Sequence, residues 1–184
     1  MQLTKEQITI TKWEADKNHC EINFKVKHLM ITTITGRFNN YNFSAETEDN
    51  DFSSLKVIFT AETASLNTNN SNRDNHLKAE DFFNVEKYPE LKFVSGRIEK
   101  KCDWLFDMHG DLTIRDITKP IKFELEFFGI AKDVDGNFKA GFRVEGKINR
   151  KDFGLSFSAL NEDGIFLVGN EVDLHAEIQL IKIL

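Results

Sequence analysis

The 184-residue sequence has little cysteine and no run of basic or of apolar residues. Its two cysteines, Cys20 and Cys102, lie far apart, and two thiols do not complete a four-ligand zinc site without histidine. A net charge of −6 and the lack of a basic run weigh against nucleic-acid binding. No stretch approaches the length of apolar residues that a membrane-spanning helix needs. We therefore expect no nucleic-acid partner and no membrane span.

Residues Met1 to Ile10 do not have the pattern of a secretion signal, because they carry neither a positively charged start nor an apolar segment. If Met1 is the native start, we expect a cytoplasmic protein with two free thiols. If a signal peptide has been removed, we expect a periplasmic protein. No linker rich in proline, glycine or serine divides the sequence, which predicts a single domain over residues 1–184.

Phenylalanine dominates the aromatic residues, with 17 Phe against 2 Trp and 2 Tyr. Phenylalanine supplies a large apolar area without a polar group, so it suits a dry interior better than a wet surface. Two interpretations are open, a cavity lined by Phe and a filled core rich in Phe. We favour the cavity.

Alternation of apolar and polar residues dominates the chain and is typical of antiparallel strands with one dry face. The clearest run places Cys20, Ile22, Phe24 and Val26 on one face, opposed by charged and amide side chains. Turn-forming sequences separate several such runs. The candidate strands span residues 8–14, 20–27, 34–43, 55–62, 91–98, 104–114, 121–127, 138–148 and 172–180.

One polar segment interrupts this pattern and predicts a short helical insertion over about residues 72–84. Asn72 or Asp74 is a candidate N-cap, and Leu77, Phe82 and Phe83 are expected to face inward. Pro89 then returns the chain to an extended strand. Eight antiparallel strands closed on themselves enclose space for side chains or one small ligand, so we predict an all-β barrel with the insertion as a lid. A sandwich of two sheets is the alternative.

Several strings, in order along the chain, resemble the YceI-like family of bacterial lipid-binding proteins. They include Trp13-Glu-Ala-Asp16, Phe24-Lys-Val-Lys-His28, Arg73-Asp-Asn-His-Leu77, Gly110-Asp-Leu-Thr-Ile114 and Asn149-Arg-Lys-Asp-Phe-Gly154. The resemblance runs from Trp13 to about Leu180. It implies an extended, eight-stranded, lipocalin-like barrel that carries a polyisoprenoid such as an isoprenoid quinone, often as a homodimer. It implies no catalytic triad and no metal site.

The segment Arg73-Asp74-His76 has a chemical and a structural interpretation. As chemistry, it would serve an enzyme that modifies lipids. As structure, which we favour, Asp74 caps the helix, Arg73 pairs with a carboxylate and His76 bonds a backbone carbonyl. The five histidines show no metal-binding spacing, so we expect no metal site. They are His19, His28, His76, His109 and His175.

Two further motifs have mainly structural interpretations. We expect the strand glycines Gly110, Gly129, Gly141 and Gly146 to mark bends of the barrel rather than points of ligand access. We expect Arg150 to pair with Asp152 or Asp116 at the end of the barrel, in preference to gripping a ligand head group.

The sequence thus predicts a non-catalytic protein that carries a long apolar ligand in the barrel lumen. We expect no cofactor; a bound isoprenoid or fatty-acyl lipid would be the ligand itself. The alternatives are the lipid-modifying enzyme and a structural β-module with a filled core. The residues expected to line the lumen are Ile22, Phe24, Val26, Phe38, Val57, Phe59, Phe82, Phe83, Phe93, Leu112, Ile114, Phe123, Leu125, Phe142, Val144, Leu174 and Ile178, with Phe82 and Phe83 closing one end.

Overall fold

The computed structural model describes residues 8–183, which form eleven strands and very little helix. The prediction about a secretion signal falls largely on residues 1–7, outside the described residues. The strands are β1 (Ile10–Ala15), β2 (Glu21–His28), β3 (Thr32–Phe38), β4 (Tyr41–Glu48), β5 (Asp51–Glu62), β6 (Leu66–Asn67), β7 (Glu90–Lys100), β8 (Leu105–Ile114), β9 (Ile117–Lys132), β10 (Phe138–Asn149) and β11 (Val168–Ile183). Short 3-10 helices span Lys17–His19, Thr63–Ser65 and Arg150–Phe153, and the single α-helix, α1, spans Ser71–Leu77.

Eight of these strands close into a ring in the order β1, β4, β5, β7, β8, β9, β10 and β11, and β11 returns to β1. Every pairing in the ring is antiparallel. The predicted eight-stranded antiparallel barrel is confirmed, and the sandwich alternative is wrong. Strands β2, β3 and β6 extend the sheet at one end of the barrel.

Strands β1 and β2 lie end to end along the same edge of β11, because the long β11 pairs with both of them. The interruption is the 3-10 turn after Asp16, whose carboxylate accepts hydrogen bonds from the backbone N–H of Asn18 and the side chains of Lys139 (2.8 Å) and Gln179 (2.9 Å). The bond from Lys139 is the main reason that the pKa of Asp16 falls to about 2. Asp16 therefore holds the kink between the two strands with an ionic bond.

Most predicted strands differ in their bounds from those of the structure, and two of the differences have a clear cause in the pairing. The predicted strand 34–43 is two strands, because the chain turns at Asn39 and Asn40 to bond the backbone oxygen and the hydroxyl of Ser65. The predicted strand 121–127 is the centre of the much longer β9, which pairs with β8 over 117–126 and with β10 over 124–132. Pairing with neighbours on both sides extends a strand beyond its alternating segment.

The helical insertion is shorter than predicted, because α1 ends at Leu77 and turns follow it. Its N-cap is Asn70, whose side chain accepts from the backbone N–H of Arg73, so the caps predicted at Asn72 and Asp74 are wrong. Asp74 instead accepts two hydrogen bonds from Thr68, at its N–H and its hydroxyl. Between residues 8 and 183 there is no helix with both the length and the apolar character needed to cross a bilayer.

Candidate functional site

A cavity of about 210 Å³ occupies the interior of the barrel. A water needs roughly 10–15 Å³ on the same measure, so the cavity has room for on the order of 15 groups of that size. Of its lining residues only Asn23, Arg150 and His175 are polar, and Asn23 and His175 direct their side chains to carboxylates. Nine of the 17 phenylalanines line it. The interior therefore contains an apolar space walled largely by Phe.

All seventeen residues that the sequence predicts for the lumen lie on the wall of this cavity. That they contact a ligand stays a prediction. Phe82 and Phe83 are buried, with 4% and 8% of their surface exposed, and lie beside α1 at one end of the cavity. Their predicted gating role also stays a prediction.

The structure adds lining residues that the sequence analysis did not select. Most of them continue the alternation of strands already recognised, so the period of two was a sufficient signal for Leu55, Leu91, Met108, Ile148, Val172, Ala176 and Leu180. Arg150 and Leu155 follow the end of β10 and lack such a signal. Phe43 and Val168 complete the apolar set, together with Leu77 on α1, which the sequence analysis expected to face inward without naming it among the lumen residues.

Three glycines give the phenylalanine rings room against the wall. A Cβ placed at Gly36 would lie 2.2 Å from Cζ of Phe24, and one at Gly146 would lie 2.5 Å from Cδ1 of Phe123. A Cβ at Gly110 would meet the ring of Phe93 and the carbonyl oxygen of Val94. A register shift in β7, between Ser95 and Ile98, lies directly opposite Gly110, whereas the bend at Gly146 stays a prediction. These glycines let a ring lie flat on the strand.

Gly129 and Gly141 behave as predicted, because they pair with one another at a β-bulge. Phe142 then pairs with Phe127, so residue 128 is the extra residue of β9. Gly129 has a φ of 111°, which is unfavourable for residues with a side chain. A bulge of this kind bends its strand and increases the local twist of the sheet.

One end of the barrel is closed by packed aromatic rings. Trp13 is 1% exposed, its ring centroid lies 5.3 Å from that of Phe52, and its Nε1 donates to the hydroxyl of Thr47 at 3.0 Å. Phe52 also contacts Phe127 at 4.8 Å and Phe142 at 5.0 Å between centroids. The indole N–H thus has a hydrogen-bond partner, and the aromatic rings fill this end of the lumen. A ligand cannot pass this end without displacing the cluster.

The opposite end carries the segment that raised the possibility of catalysis. Arg73 donates to the hydroxyl and the carbonyl of Thr68, so the predicted pairing with a carboxylate is wrong. His76 bonds the carboxylate of Asp81 at 3.0 Å rather than a backbone carbonyl, and it packs edge-on against Phe82. Arg73, Asp74 and His76 do not line the cavity. Their contacts with Thr68 and Asp81 hold α1 and the turns after it together from outside the cavity.

Arg150 lies at this same end, on the 3-10 helix that follows β10, and only 2% of its surface is exposed. It donates to the backbone oxygens of Gly169 (2.8 Å) and Leu155 (2.6 Å). The predicted pairs with Asp152 and Asp116 are wrong, since within residues 8–183 no carboxylate oxygen lies within 4.0 Å of its guanidinium. Burial lowers the pKa of Arg150.

The donor atoms of Glu99, Asp107 and His109 lie within 4.8 Å of one another on the outside of the barrel. Lys101 and Lys122 contact Asp107 at 2.9 and 3.2 Å, and the bond from Lys101 is the main cause that lowers the pKa of Asp107. These ammonium groups supply the positive charge that a cation would bring. The arrangement is a salt-bridge network rather than an open metal site.

The two cysteines are separate and unpaired in the structure. The thiol of Cys20 donates to the carbonyl oxygen of Gln179, and burial is the main cause that raises its pKa. A raised pKa keeps a thiol protonated and less reactive. Cys20 therefore acts as a packing residue beside the kink at Asp16.

Fold and cavity together define an eight-stranded antiparallel barrel with a closed end and an apolar lumen, the class of barrel that holds one small ligand. Residues 13–180 match the YceI-like domain, and the chain belongs to this family. The family resemblance of the sequence is thereby confirmed.

Relatives and solved structures agree with this assignment. UPF0312 protein SAS2572 of Staphylococcus aureus (strain MSSA476) is 35% identical over 171 residues, which cover 92% of this chain and 97% of the relative. The crystal structure of the Campylobacter jejuni YCEI protein is 34% identical, covers 97% of this chain and 98% of its own, and has a TM-score of 0.72. A polyisoprenoid binding domain from Saccharophagus degradans, 13% identical, shares the fold with a TM-score of 0.64 over 95% of this chain and 99% of its own.

Proposed function

We propose that this protein binds the apolar chain of a lipid in its barrel and carries it without catalysing a reaction. The observation that carries the proposal is the cavity, which is walled by apolar side chains and closed at one end by the cluster around Trp13. The polyisoprenoid binding domain of similar fold supports the same ligand class. An isoprenoid quinone, another polyisoprenoid or a fatty-acyl chain fits this chemistry.

The energy of burying such a chain is sufficient for binding. Each buried methylene contributes about 0.8 kcal/mol, so a chain of ~15 carbons contributes on the order of 10 kcal/mol. Loss of translational, rotational and chain freedom opposes binding by several kcal/mol. The free energy that remains is enough for tight binding. This binding is selective for the length and shape of the apolar chain more than for its chemical detail.

The absence of catalysis is part of the proposal. The polar residues of Arg73-Asp74-His76 are engaged by Thr68 and Asp81 and stand outside the cavity wall. His76 and Asp81 are both partly exposed, and such a pair contributes about 0–1 kcal/mol. We expect His76→Ala to lower the melting temperature slightly and to leave lipid binding intact. Turnover of a lipid that depends on His76 would instead support the enzyme alternative.

The first experiment is native mass spectrometry of the freshly purified protein, followed by lipid extraction. A stoichiometric adduct with an isoprenoid or acyl chain supports the proposal and names the ligand class. If the protein carries no lipid, long-chain isoprenols, quinones and fatty acids are added and binding is measured by titration. Failure of all of them to bind would contradict the proposal.

A matched pair of variants separates a ligand cavity from a filled core. Ala176 faces the cavity on β11, whereas Ala131 is exposed on β9. A ligand cavity predicts that Ala176→Phe is accommodated with little loss of stability and abolishes lipid binding. Ala131→Phe, the control, leaves binding unchanged. A filled core predicts that Ala176→Phe costs about 1–3 kcal/mol by overpacking and that neither variant affects binding.

Three finer points of the proposal need their own measurements. The homodimer implied by the family is checked by sedimentation of the purified protein. A cytoplasmic or a periplasmic location is checked by fractionation of the native host. Transport, as distinct from storage, requires exchange of the bound lipid between this protein and labelled vesicles.

A further inference from the structure

Arg150 is the one permanently charged residue among the residues that line the cavity in the described part of the chain. Its side chain is almost fully buried, at the end of the lumen where Phe82 and Phe83 lie. The Cζ atom lies 6.0 Å from the centroid of the Phe82 ring. A permanent charge thus stands beside Phe82 in a wall whose only other polar residues, within the described part of the chain, are Asn23 and His175.

The partners of Arg150 are all uncharged. Nε donates to Gly169 O at 2.8 Å and Nη1 to Leu155 O at 2.6 Å, whereas Nη2 makes two long contacts, to Val168 O at 3.5 Å and to Oδ1 of Asn170 at 3.4 Å. A guanidinium has five N–H donors, so one N–H of Nη1 has no acceptor and Nη2 is weakly bonded. The open N–H thus belongs to Nη1, and the two long hydrogen bonds of the adjacent Nη2 are the ones that an incoming acceptor would most easily replace.

A buried charge without a counter-charge is costly, because neutral dipoles replace only part of its hydration. Arginine does not escape this cost by losing its proton, since it stays protonated in proteins. If Arg150 served only as a corner brace, a neutral donor would satisfy the same backbone oxygens at lower cost. A compensating anion is therefore missing from the chain itself.

We propose that Arg150 binds the carboxylate head of an apolar-chain ligand, so that the preferred ligands are long-chain acids. This inference rests on the proposed function, because the tail must occupy the cavity. A carboxylate matches the two η nitrogens as a bidentate partner. It also neutralises one positive charge with one negative charge. A phosphate would bring a further charge and a third oxygen into a wall whose two other polar side chains, Asn23 and His175, are directed to carboxylates.

The test compares three ligands with the same tail: hexadecanoic acid, hexadecan-1-ol and methyl hexadecanoate. Binding to the wild-type protein is measured by titration above pH about 7, where the acid is ionised. We expect the acid to bind about tenfold or more tightly than the alcohol or the ester, the ratio that corresponds to one hydrogen-bonded charge. Hexadecyl phosphate, as a fourth probe, is expected to bind more weakly than the acid.

Substitutions of Arg150 then test whether this residue causes the preference for the acid. Arg150→Met abolishes the preference for the acid, and Arg150→Lys, which keeps the charge, retains part of it. Arg143→Met is the control, because Arg143 lies on β10 outside the cavity and pairs with Glu126 and Glu177. If Arg150→Met does not fold, the comparison of acid with ester in the wild-type protein decides alone.

The outcomes separate this inference from the proposed function. If the acid, alcohol and ester bind with equal affinity, the inference about Arg150 is wrong while the lipid-binding function stands. If none of the four ligands binds, and isoprenols and quinones also fail, the proposed function itself is contradicted. Tighter binding of hexadecyl phosphate would overturn the assignment of a carboxylate.

Discussion

Gly146, on β10, faces the ring of Phe123 so closely that a methyl group has no room there. A Cβ at Gly146 would lie 2.5 Å from Cδ1 and 2.7 Å from Cε1 of that ring. Ordinary carbon contacts are about 3.5–4.0 Å, so Gly146→Ala requires the ring to move by about 1 Å. The strands block movement into the wall, and the cavity that Phe123 lines is the open direction.

The expected cost has two parts of opposite sign. Overpacking costs about 1–3 kcal/mol, and replacing a strand glycine returns about 0.5–1 kcal/mol. For a protein of this size each kcal/mol corresponds to roughly 2–4 °C in melting temperature. The displaced Phe123 ring also takes up space in the cavity. Each methylene of the ligand that can no longer be buried there weakens binding about fourfold. We expect a small loss of stability and a several-fold loss of lipid affinity.

The assay is titration of one bound lipid together with thermal unfolding, and Gly96→Ala on β7 is the control. A Cβ at Gly96 meets only the backbone oxygen of His109, at 3.5 Å, which is an ordinary contact. The control variant should therefore bind lipid like the wild-type protein. Equal affinities of the Gly146 and Gly96 variants would refute the idea that the glycine makes space for ring and ligand.

Three further predictions concern the kink at Asp16, the closed end of the barrel and the helix α1. Because the pKa of Asp16 falls from 3.8 to about 2, its stabilising effect is full above pH about 4 and is lost as the pH falls from about 4 to about 2. Asp16→Asn should therefore make the melting temperature less dependent on pH in this acid range. A melting temperature that falls with acid as steeply in the variant as in the wild-type protein would contradict this. Phe52→Ala should cost about 3–5 kcal/mol in denaturant unfolding, because it empties the closed end, and a cost below about 1 kcal/mol would show that the end is loosely packed. Asp74→Asn should speed amide hydrogen exchange in α1 with little change in global stability; equal exchange rates in the two proteins would show that the bonds to Thr68 do not hold the helix.

The alternation of the sequence was enough to place the strands and the wall of the cavity. A strand with one dry face and one wet face reveals which residues point inward, and a closed antiparallel barrel has a single interior for them to share. For this reason the fifteen predicted lumen residues that lie on strands, from Ile22 on β2 to Ile178 on β11, meet around one space. The same rule extends to Met108 and Ala176, which continue strands already recognised.

The partner that each polar side chain takes was beyond the reach of the alternating pattern. Asn70 caps α1 although Asn72 and Asp74 are equally suitable residues, because Asp74 is engaged by Thr68. The sequence could not show that a kink beside Asp16 lets β1 and β2 share one edge of β11, since the bonds to Lys139 and Gln179 span more than a hundred residues. The burial of Arg150 without a carboxylate depends in part on the carbonyl oxygen of Gly169 on β11, which the pairing of β10 with β11 brings to it. Period two fixes which face of a strand is apolar, and only tertiary closure fixes which polar group ends up inside.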